Sequence, residues 1–528
     1  MEKKLITAIA LSILIIVTFQ YFSPKPTPPP AVQVQGEAGA IKKEIEVIPV
    51  AEPKNLPEEK ETEVVTGKYI FTFSNIGGSI KEIKLVDYKA LDSKEPLKLV
   101  EIINPKDYIF NISNIKGTEV LDLAGYNLKG NGSDLIYVLT TKDFEIRKKY
   151  ILRKSSYGID LELNIKNISG TPKEFSYSII SGAGLTEKSE QDKRLIEASA
   201  NINGKMVVSK RPKPGERTTN YGIAVWQALK NKYFSVILKP FAQTSSVYST
   251  EDNSGNLIIG VNVEKTIIQP GESIENKYSL YAGPSSIPDM KEFGYGIEES
   301  VNYGFFGGIS KILIVVMRMC HMAVRNWGLS IILLSVLLNL VTLPLTMKSF
   351  KSMQKMQELH PQMEKLKGQY KDQPQKLNKE IMELYKKYNI NPFSGCLPIL
   401  LQMPIFIALY QALMKSIELR NAGFLWIRDL SSPEAIPIPI SLPIIGNTIN
   451  ILPLLMVGAM VVQQKISTAS AGSAITEEQK QQQKIMLIVM PIMFGFIFYN
   501  MPSGLVLYWI VNTILTITEQ ASILRKEA

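Results

Sequence analysis

Cysteine and histidine are scarce in this chain of 528 residues, which contains two of each. The two cysteines, Cys320 and Cys396, exclude a disulfide framework and a four-cysteine zinc site. Two histidines leave little material for metal binding or for a catalytic triad. The sequence also lacks the HExxH, G-x-S-x-G, P-loop and CxxC motifs. We therefore predict that the protein is not an enzyme and needs no cofactor.

One serine, Ser503, lies in a Met-Pro-Ser-Gly segment near the C-terminus and could suggest an intramembrane serine protease. No histidine lies in the C-terminal apolar segments to act as its base, so we do not favour this hypothesis. The same segments contain no chain of acids or bases of the kind that relays protons.

Long apolar segments indicate an integral membrane protein. The first, within residues 1–22, follows Lys3 and Lys4 and has no small-residue cleavage site, which favours a retained anchor over a cleavable signal peptide. Five more spans are predicted near residues 329–347, 396–417, 449–462, 485–500 and 504–521. The sequence therefore predicts a polytopic α-helical membrane protein with six spans.

Positive charge predicts the orientation of these spans. The loop at residues 348–392 contains ten lysines and five acidic residues, so it should be cytoplasmic. Counting spans in both directions then places both termini in the cytoplasm and the region after the first span outside, in a periplasm-like space. That region contains no cysteine, which suits an oxidising compartment.

The region after the anchor divides into a linker and a β-domain. Residues 23–65 are rich in proline and then in charged residues, which predicts an extended spacer. Within residues 66–290, apolar and polar residues alternate with the period of half-buried strands, most clearly at 159–166. Similar segments occur at 68–73, 175–180, 233–238, 257–263 and 277–281. This pattern predicts an external antiparallel β-sandwich, without a residue cluster that indicates a ligand.

Two amphipathic segments flank the second span. Apolar residues at helical spacing in 303–326 predict a helix in the outer membrane interface, in preference to one packed on the sandwich. Two heptad-like stripes in 348–392, separated by a turn with proline, predict a cytoplasmic helical hairpin. Methionine packs against many shapes, so Met353, Met356 and Met363 either hold the two helices together or also contact hydrophobic segments of other proteins.

Uncharged polar residues are scattered through the predicted spans. They are Ser335, Asn339, Gln402, Gln411, Tyr508 and Asn512. Polar groups at this depth need partners inside the protein or water in a cavity. They therefore either join helices by hydrogen bonds or line a partly wet pocket, and the sequence does not separate these alternatives.

Several motifs occur in order between residues 326 and 522. They are Asn-Trp-Gly-Leu-Ser-Ile-Ile at 326–332, Pro-Leu-Thr at 344–346, Asn-Pro-Phe-Ser-Gly-Cys-Leu-Pro at 391–398, Gln-Met-Pro-Ile-Phe at 402–406, Gln-Lys-Ile-Met at 483–486 and Pro-Ser-Gly-Leu-Val-Leu-Tyr-Trp at 502–509. Together they resemble the YidC family of bacterial membrane protein insertases. The anchor, linker and external domain match the layout of that family without a residue motif.

The resemblance implies a five-helix insertase core in residues 327–528 around a polar groove, open to the cytoplasm and lipid and closed toward the outside. A hydrophobic segment of a nascent membrane protein, the client, would pass along this groove into the inner membrane without a nucleotide. Burial of its apolar surface would drive the step. The implied groove residues are Ser335, Asn339, Gln402, Gln411, Tyr508, Trp509 and Asn512, and the hairpin with Met353, Met356 and Met363 would contact the client first.

The resemblance also implies partners. These are nascent membrane proteins, for which the chain would also act as a chaperone, the lipid bilayer, the Sec translocon and the ribosome, with no specific nucleic-acid sequence. The short C-terminal tail lacks a basic extension, so the ten-lysine loop is the better candidate for ribosome contact. Many family members carry an arginine in the middle of the second span, where this chain has Asn339. The difference predicts less dependence on acidic client flanks.

Two alternatives belong to other functional classes. A solute transporter could capture its solute with the external domain, but transporters usually show repeated span architecture, and we find no internal repeat. A structural adaptor of membrane complexes would keep working after its groove residues are changed, whereas an insertase would not.

Overall fold

The computed structural model describes residues 43–47, 56–89, 94–114, 121–130, 135–153, 155–186, 195–370, 373–388, 397–442, 446–469 and 477–527. The predicted anchor at 1–22, residues 391–396 of the third motif with Cys396, and most of the predicted linker lie outside these residues. The described chain comprises a β-domain followed by a helical region.

The β-domain contains 21 strands among the described residues, and the strands pair antiparallel. In chain order they are β1 Lys43–Val47, β2 Glu61–Val65, β3 Tyr69–Ser74, β4 Ser79–Lys89, β5 Pro96–Glu101, β6 Ile112–Asn114, β7 Asn127–Leu128, β8 Leu135–Thr140, β9 Phe144–Leu152, β10 Ile159–Asn167, β11 Lys173–Phe175, β12 Tyr177–Gly182, β13 Glu197–Ile202, β14 Lys205–Ser209, β15 Glu216–Tyr221, β16 Ala224–Lys230, β17 Phe234–Pro240, β18 Thr244–Glu251, β19 Leu257–Val263, β20 Thr266–Ile268 and β21 Ser273–Pro284.

These strands form two large sheets and two small ones. The nine-stranded sheet has the order β14-β13-β16-β17-β21-β10-β9-β8-β7, and the six-stranded sheet has the order β1-β15-β18-β19-β12-β6. A four-stranded sheet β2-β3-β4-β5 and a pair β11-β20 complete the domain. Gln227 on β16 joins the large sheets, since it accepts a hydrogen bond from Ser181 Oγ (2.6 Å) and donates one to the Tyr248 carbonyl (2.9 Å). The predicted antiparallel sandwich is confirmed.

Alternation along β10 shows why these residues form strands. Ile159, Leu161, Leu163 and Ile165 are buried, and the polar residues between them are partly or fully exposed. A strand with this pattern covers the core with one face and meets water with the other. The two-residue period is visible in the sequence alone, without knowledge of the neighbouring strands.

Two strands lie inside the range predicted as linker. Strand β1 pairs with β15, and β2 pairs with β3. Both strands are short, lie at the edge of a sheet and contain charged residues, so composition alone suggested a spacer. The extended spacer predicted at residues 23–65 therefore does not include residues 43–47 or 61–65, which belong to the sheets.

The helical region follows the last strand of the β-domain. In chain order its helices are α1 Ile287–Phe293, α2 Gly307–Val324, α3 Trp327–Glu358, α4 His360–Gln369, α5 Pro374–Lys387, α6 Leu397–Lys415, α7 Ile451–Ala469, α8 Glu477–Phe498 and α9 Ser503–Glu527. A short hairpin, β22 Ile436–Leu442 and β23 Gly446–Ile449, precedes α7. Helices α3, α6, α7, α8 and α9 overlap the five predicted C-terminal spans.

Length and composition identify two helices of the described chain that could cross a membrane. They are Gly307–Val324 and Trp327–Ser352, and shorter apolar helical stretches are Ile451–Ser467 and Leu487–Phe498. Large apolar side chains on the helices are open to the surroundings, including Val341 (76%), Phe496 (76%) and Ile492 (61%). Extensive apolar exposure of this kind suits lipid rather than water. Six spans remain a prediction.

Helix α2 has the amphipathic pattern predicted for residues 303–326. One face is buried against α3 and α6 and includes Ser310, Leu313, Met317 and Cys320. The predicted apolar stripe is buried only in part, because Ile312 and Met319, which belong to it, are exposed. A location of α2 in the membrane interface stays a prediction, since the helix is also long enough to span.

The hairpin predicted at residues 348–392 is formed by the end of α3 and by α4 and α5. Helix α3 runs without interruption from the second predicted span to Glu358, so the first arm begins as an extension of that span. The two arms meet at Leu359 and Tyr385, with Met356, Met363 and Ile381 packed around them. Leu359 and Ile381 follow the predicted heptad-like spacing, whereas Tyr385 lies outside it, one position after Leu384.

Candidate functional site

A loop at residues 416–435 covers the end of the helices that adjoins the β-domain. Leu419, Leu430 and Ser431 in this loop have no exposed surface. Its Leu430 carbonyl accepts a hydrogen bond from the Gly504 amide (2.8 Å), which ties the loop to the first turn of α9. The Phe424 ring lies against Gly328 at the start of α3. The beginnings of α3 and α9 are thus covered at the same end of the bundle.

The same loop also contacts the β-domain. Lys232 Nζ donates to the Ser431 carbonyl (2.9 Å), and the Tyr233 hydroxyl is 2.7 Å from Ser431 Oγ. The Arg420 guanidinium lies over the Phe234 ring, 5.4 Å from its centroid. The covered end of the helices is therefore the end next to the β-domain.

Ser503 begins α9 beneath this loop. Its hydroxyl is buried and donates to the Ser432 carbonyl (2.7 Å), and its amide donates to the same carbonyl (2.9 Å). A nucleophilic serine needs a neighbouring base and an open approach for the substrate. The contacts of Ser503 instead join the loop to the helix.

Polar residues on α3 share one face of the helix. Ser335, Asn339, Thr342 and Thr346 recur at intervals of three or four residues, which places them within about 60° around the axis. The hydroxyls of Ser335 and Thr346 donate to carbonyls of their own helix at 2.7 Å and 3.1 Å. This arrangement lets a hydroxyl lie within an apolar bundle without an unpaired donor.

Helix α9 carries a matching polar face. Tyr508, Asn512 and Glu519 lie at positions i, i+4 and i+11, which fall within about 40° around the axis. The Asn339 carboxamide of α3 interacts with the Glu519 carboxylate of α9. Oε2 of Glu519 is buried and accepts no hydrogen bond among the described residues. The two polar faces meet at this pair.

Helix α6 contributes Gln402 to the same group. Its Nε2 atom donates a hydrogen bond to the Tyr508 hydroxyl, which is fully buried. The contact joins α6 to α9 as Asn339 joins α3 to α9. Three helices therefore turn polar groups toward one another, and we call Ser335, Asn339, Gln402, Tyr508, Asn512 and Glu519 the polar seam.

Two residues predicted for the groove lie away from this seam. Gln411 is nine residues beyond Gln402 on α6 and its side chain lies beside Gly304, which precedes α2. Trp509 packs in an aromatic cluster, with ring centroids 5.4 Å from Phe406, 5.4 Å from Phe494 and 5.0 Å from Phe498. Sequence spacing placed both residues on the correct helices but not beside the other polar groups.

The structure describes the side chains of two of the three predicted hairpin methionines. Met356 and Met363 pack against the contact between the two arms, and Tyr385 Oη lies 3.5 Å from Met363 Sδ. The side chain of Met353 lies outside the described ones. Met356 and Met363 thus help to hold the two arms together, and their contact with a client stays a prediction.

Glu519, Thr342 and Thr346 were missed by the sequence analysis. Each had a signal: Thr342 and Thr346 continue the spacing of Ser335 and Asn339, and Glu519 is the one acid in the predicted last span. An ionisable residue within a span is costly unless it has a partner or a function. A proton relay is recognised by several acids or bases close together in sequence, and Glu519 has no second acid nearby.

The β-domain contains a cleft of about 900 Å³, lined among others by Asp107, Arg217, Tyr248 and Asp252. Burial and the neighbouring Asp252 carboxylate raise the pKa of Asp107 to about 6. The Arg217 guanidinium lies over the Tyr248 ring, 4.1 Å from its centroid. The cleft is acidic on one side, which the strand pattern alone did not predict.

Lys148, on β9, is the most deeply buried cation of the β-domain among the described residues, with no exposed surface. Its ammonium donates to the carbonyls of Gly77 (2.6 Å) and Phe110 (2.7 Å). Burial holds the pKa of Lys148 well below its ordinary value. The lysine joins two turns of the chain inside the core rather than acting at a surface.

A β-sandwich joined to a bundle of apolar helices with an internal polar seam defines a class of protein, a membrane protein with a large domain outside the membrane. Family comparisons agree with both parts. A family described as YidC periplasmic domain matches residues 61–316, and one described as 60Kd inner membrane protein matches residues 319–528.

Whole-chain relatives give the same result. The membrane protein insertase YidC of Pelobacter propionicus is 32% identical, with 98% of each chain covered. That of Geotalea daltonii is 30% identical, with 99% of each chain covered. A solved structure of an active YidC insertase covers 98% of this chain and 99% of its own, with 19% identity and a TM-score of 0.37. The chain belongs to the YidC family of membrane protein insertases.

Proposed function

We propose that this insertase passes the hydrophobic segment of a client along the polar seam between α3, α6 and α9. The observation that supports this most directly is the meeting of polar side chains from three helices whose outer faces are apolar. A polar flank that crosses the membrane core needs hydrogen-bonding groups along its path. The apolar segment beside it would enter lipid and gain the free energy of apolar burial.

The loop at residues 416–435 gives this path a direction. It covers the beginnings of α3 and α9 and is tied to the β-domain, so the seam would be closed at the periplasmic end. A client would then enter from the cytoplasmic end, where α3 continues into the lysine-rich hairpin. The proposed topology has both termini in the cytoplasm, six spans and α2 at the outer membrane interface.

The hairpin, with Met353, Met356 and Met363, is proposed as the first contact of the client. Its ten lysines also make it the proposed contact of the ribosome, because ribosomal RNA is strongly anionic. Cooperation with the Sec translocon is proposed on the family resemblance. No catalytic step and no cofactor are part of this proposal.

Photo-crosslinking tests the path. A crosslinking residue is placed at Gln402, Asn339 or Asn512 in the full-length protein, and ribosome-bound chains exposing one hydrophobic segment are presented. Crosslinks from all three positions, lost when the segment is made polar, would support the proposal. A crosslinking residue at Gln411, near the outer end and away from the seam, is the matched control and should give a weaker signal.

The alternatives predict other outcomes. A structural adaptor would give no client crosslinks from the seam, although ribosome and folded protein are both present. A solute transporter would likewise give none, and its transport would depend on the cleft of the β-domain. Either result would contradict passage of clients along the seam.

The identity of residue 339 also sets client choice in this proposal. Asn339 offers hydrogen bonds but no positive charge, so acidic client flanks gain no electrostatic attraction from it. Asn339→Arg by itself would place a guanidinium beside Glu519, and the two charges would pair. A gain confined to acidic-tailed clients is therefore expected in Asn339→Arg/Glu519→Gln and much less in Asn339→Arg. Equal gains with neutral tails would contradict this role.

A further inference from the structure

Glu519 is the one charged residue between Ser503 and Leu524, and the second predicted span contains no charge at all. On α6, Lys415 lies at the outer end, where its ammonium donates to the Asn302 carbonyl (2.6 Å). The polar seam therefore contains one formal charge, and that charge is negative. A single charge of one sign makes the seam selective for the opposite sign.

The depth of Glu519 follows from the helix geometry. It lies 16 residues after Ser503, which corresponds to ~24 Å along the helix axis at ~1.5 Å per residue. The hydrocarbon core is ~30 Å thick. Because Ser503 is at the covered, outer end, Glu519 lies in the cytoplasmic part of the seam. Asn339, 12 residues into α3, faces it from the neighbouring helix.

The surroundings of Glu519 leave the carboxylate unsatisfied. The neutral Asn339 carboxamide is its polar neighbour, and no lysine or arginine among the described side chains forms an ion pair with it. Oε2 is buried without a donor. A half-buried carboxylate with a free acceptor atom and no ion pair among the described side chains is costly, and a cation that supplies N–H donors removes both costs.

We propose that Glu519, with Asn339 beside it, binds the lysine or arginine that flanks a client's hydrophobic segment on its cytoplasmic side. Lys and Arg are enriched on that side of membrane proteins, so the bound residue is one that most clients possess. The contact would retain the cytoplasmic flank at the inner end of the seam while the apolar segment moves into lipid. This inference rests on the proposed passage of clients along the seam.

The experiment uses the full-length protein in liposomes of phosphatidylcholine, with three model clients. The clients share one hydrophobic segment and differ at a single cytoplasmic flanking position, which is Lys, Gln or Glu. Insertion is measured by protease protection, and passage is measured in parallel by crosslinking from Asn512. We expect the wild-type protein to insert the Lys client about fivefold better than the Gln client, the size of a partly buried ion pair.

Two variants isolate the carboxylate. In Glu519→Gln the ratio of Lys to Gln insertion should fall to the value of protein-free liposomes, with crosslinks from Asn512 retained. The matched control, Glu519→Gln/Gln520→Glu, keeps the net charge and turns the carboxylate about 100° away around the helix. It should behave like Glu519→Gln, because the position of the charge and not its presence is decisive.

Three results would overturn the inference. One is an unchanged Lys to Gln ratio in Glu519→Gln while the crosslinks persist. Another is an equal change for all three clients, which would indicate that Glu519 binds a proton or water instead. The third is recovery of the Lys preference in the Gln520→Glu control. Loss of crosslinks in wild-type protein would contradict the proposed path itself, so the two failures are distinguishable.

Discussion

The β-domain and the helical region place polar and apolar groups in opposite ways. The β-domain buries apolar side chains such as Leu161 and Leu163 and turns the intervening polar residues outward. The helical region exposes Val341 and Phe496 and turns polar groups such as Asn339 and Tyr508 inward. Water around one part and lipid around the other account for the difference, because each solvent accepts the groups it resembles.

The comparison also concerns buried charge. Lys148 in the β-domain has two carbonyl acceptors at hydrogen-bond distance. Glu519 in the helical region has an oxygen with no hydrogen-bond partner among the described residues. A buried ionisable group whose hydrogen bonds are made stabilises a fixed structure, whereas one with a free acceptor atom is available to a ligand. This difference separates a structural role from a binding role.

The largest predicted effect concerns the buried lysine of the β-domain, Lys148. Lys148→Met keeps the length of the side chain but leaves the Phe110 carbonyl without a donor and the Gly77 carbonyl with the Ser79 hydroxyl alone. We therefore expect the β-domain to lose about 2 to 3 kcal/mol of stability. Hydrogen exchange of the full-length protein, resolved by region, measures this. Protection should fall in the β-domain and stay unchanged in the helices, and equal loss in both would contradict a stabilising role of Lys148 that is confined to the β-domain.

A second prediction concerns the covered end of the helices. A Cβ at Gly328 would lie 2.1 Å from Cγ of Phe424, so Gly328→Ala must displace the loop at 416–435. We expect a loss of about 2 kcal/mol from overpacking, measured as a lower unfolding temperature in detergent. Gly458→Ala on α7 is the control, since nothing lies within 4 Å of its added methyl group. It should be neutral or stabilising.

A third prediction concerns the pH dependence of the stability of the β-domain, to which Asp107 in the cleft contributes. The pKa of Asp107 is raised from 3.8 to about 6. Between these two pH values the folded protein therefore retains a proton that the unfolded chain has released. Stability contributed by this proton is present below about pH 4 and is lost as the pH rises through about 6.

Asp107→Asn should therefore remove this loss and stabilise the β-domain at neutral pH. We expect about 1 to 2 kcal/mol, because the full shift corresponds to at most ~3 kcal/mol and solvent at the cleft reduces it. Unfolding temperatures of the full-length protein at pH 4 and pH 7.5 measure the effect. If Asp107→Asn stabilised the protein equally at both pH values, burial of the Asp107 charge would not be the cause of the stabilisation.

The smallest predicted effect concerns the polar seam. Tyr508→Phe removes the acceptor of the Gln402 hydrogen bond, and interhelical hydrogen bonds contribute ~0.6 kcal/mol. We expect a loss of that size in unfolding in detergent, together with altered insertion of clients with polar flanks. Tyr410→Phe on α6 is the matched control, because no hydrogen bond of its hydroxyl is found among the described residues. A comparable change in the control would show that the seam contact has no special role.

Much of the fold follows from periodicity. Alternation at 159–166 predicted β10, and heptad-like spacing predicted that the two arms of the hairpin pack on each other, but not that Tyr385 lies in their contact. The same local pattern could not show that residues 61–65 pair with β3, because a short charged edge strand has the composition of a linker. It also could not show that α3 extends to Glu358, since a helix continuing out of the membrane has no break in its spacing.

The candidate site was predicted less completely. Asn339, Gln402, Tyr508 and Asn512 were identified as polar residues in spans, and the structure pairs Gln402 with Tyr508 and sets Asn339 beside Glu519. Gln411 and Trp509 lie elsewhere, and Glu519 was missed. Spacing along one helix gives the face on which a residue lies, but the neighbour of that face depends on how the helices pack.

The sequence by itself determined that the chain enters a membrane, that a β-sandwich precedes its helices and that it belongs to the YidC family, because composition, period and motifs are local properties. The tertiary structure alone decided that Lys148 is satisfied inside the β-domain and that Asn339 faces Glu519 across two helices. Asn339 and Glu519 are 180 positions apart in the sequence. Lys148 is 71 positions from Gly77 and 38 positions from Phe110. Their energies depend on burial and on the distance between atoms, which no local pattern specifies.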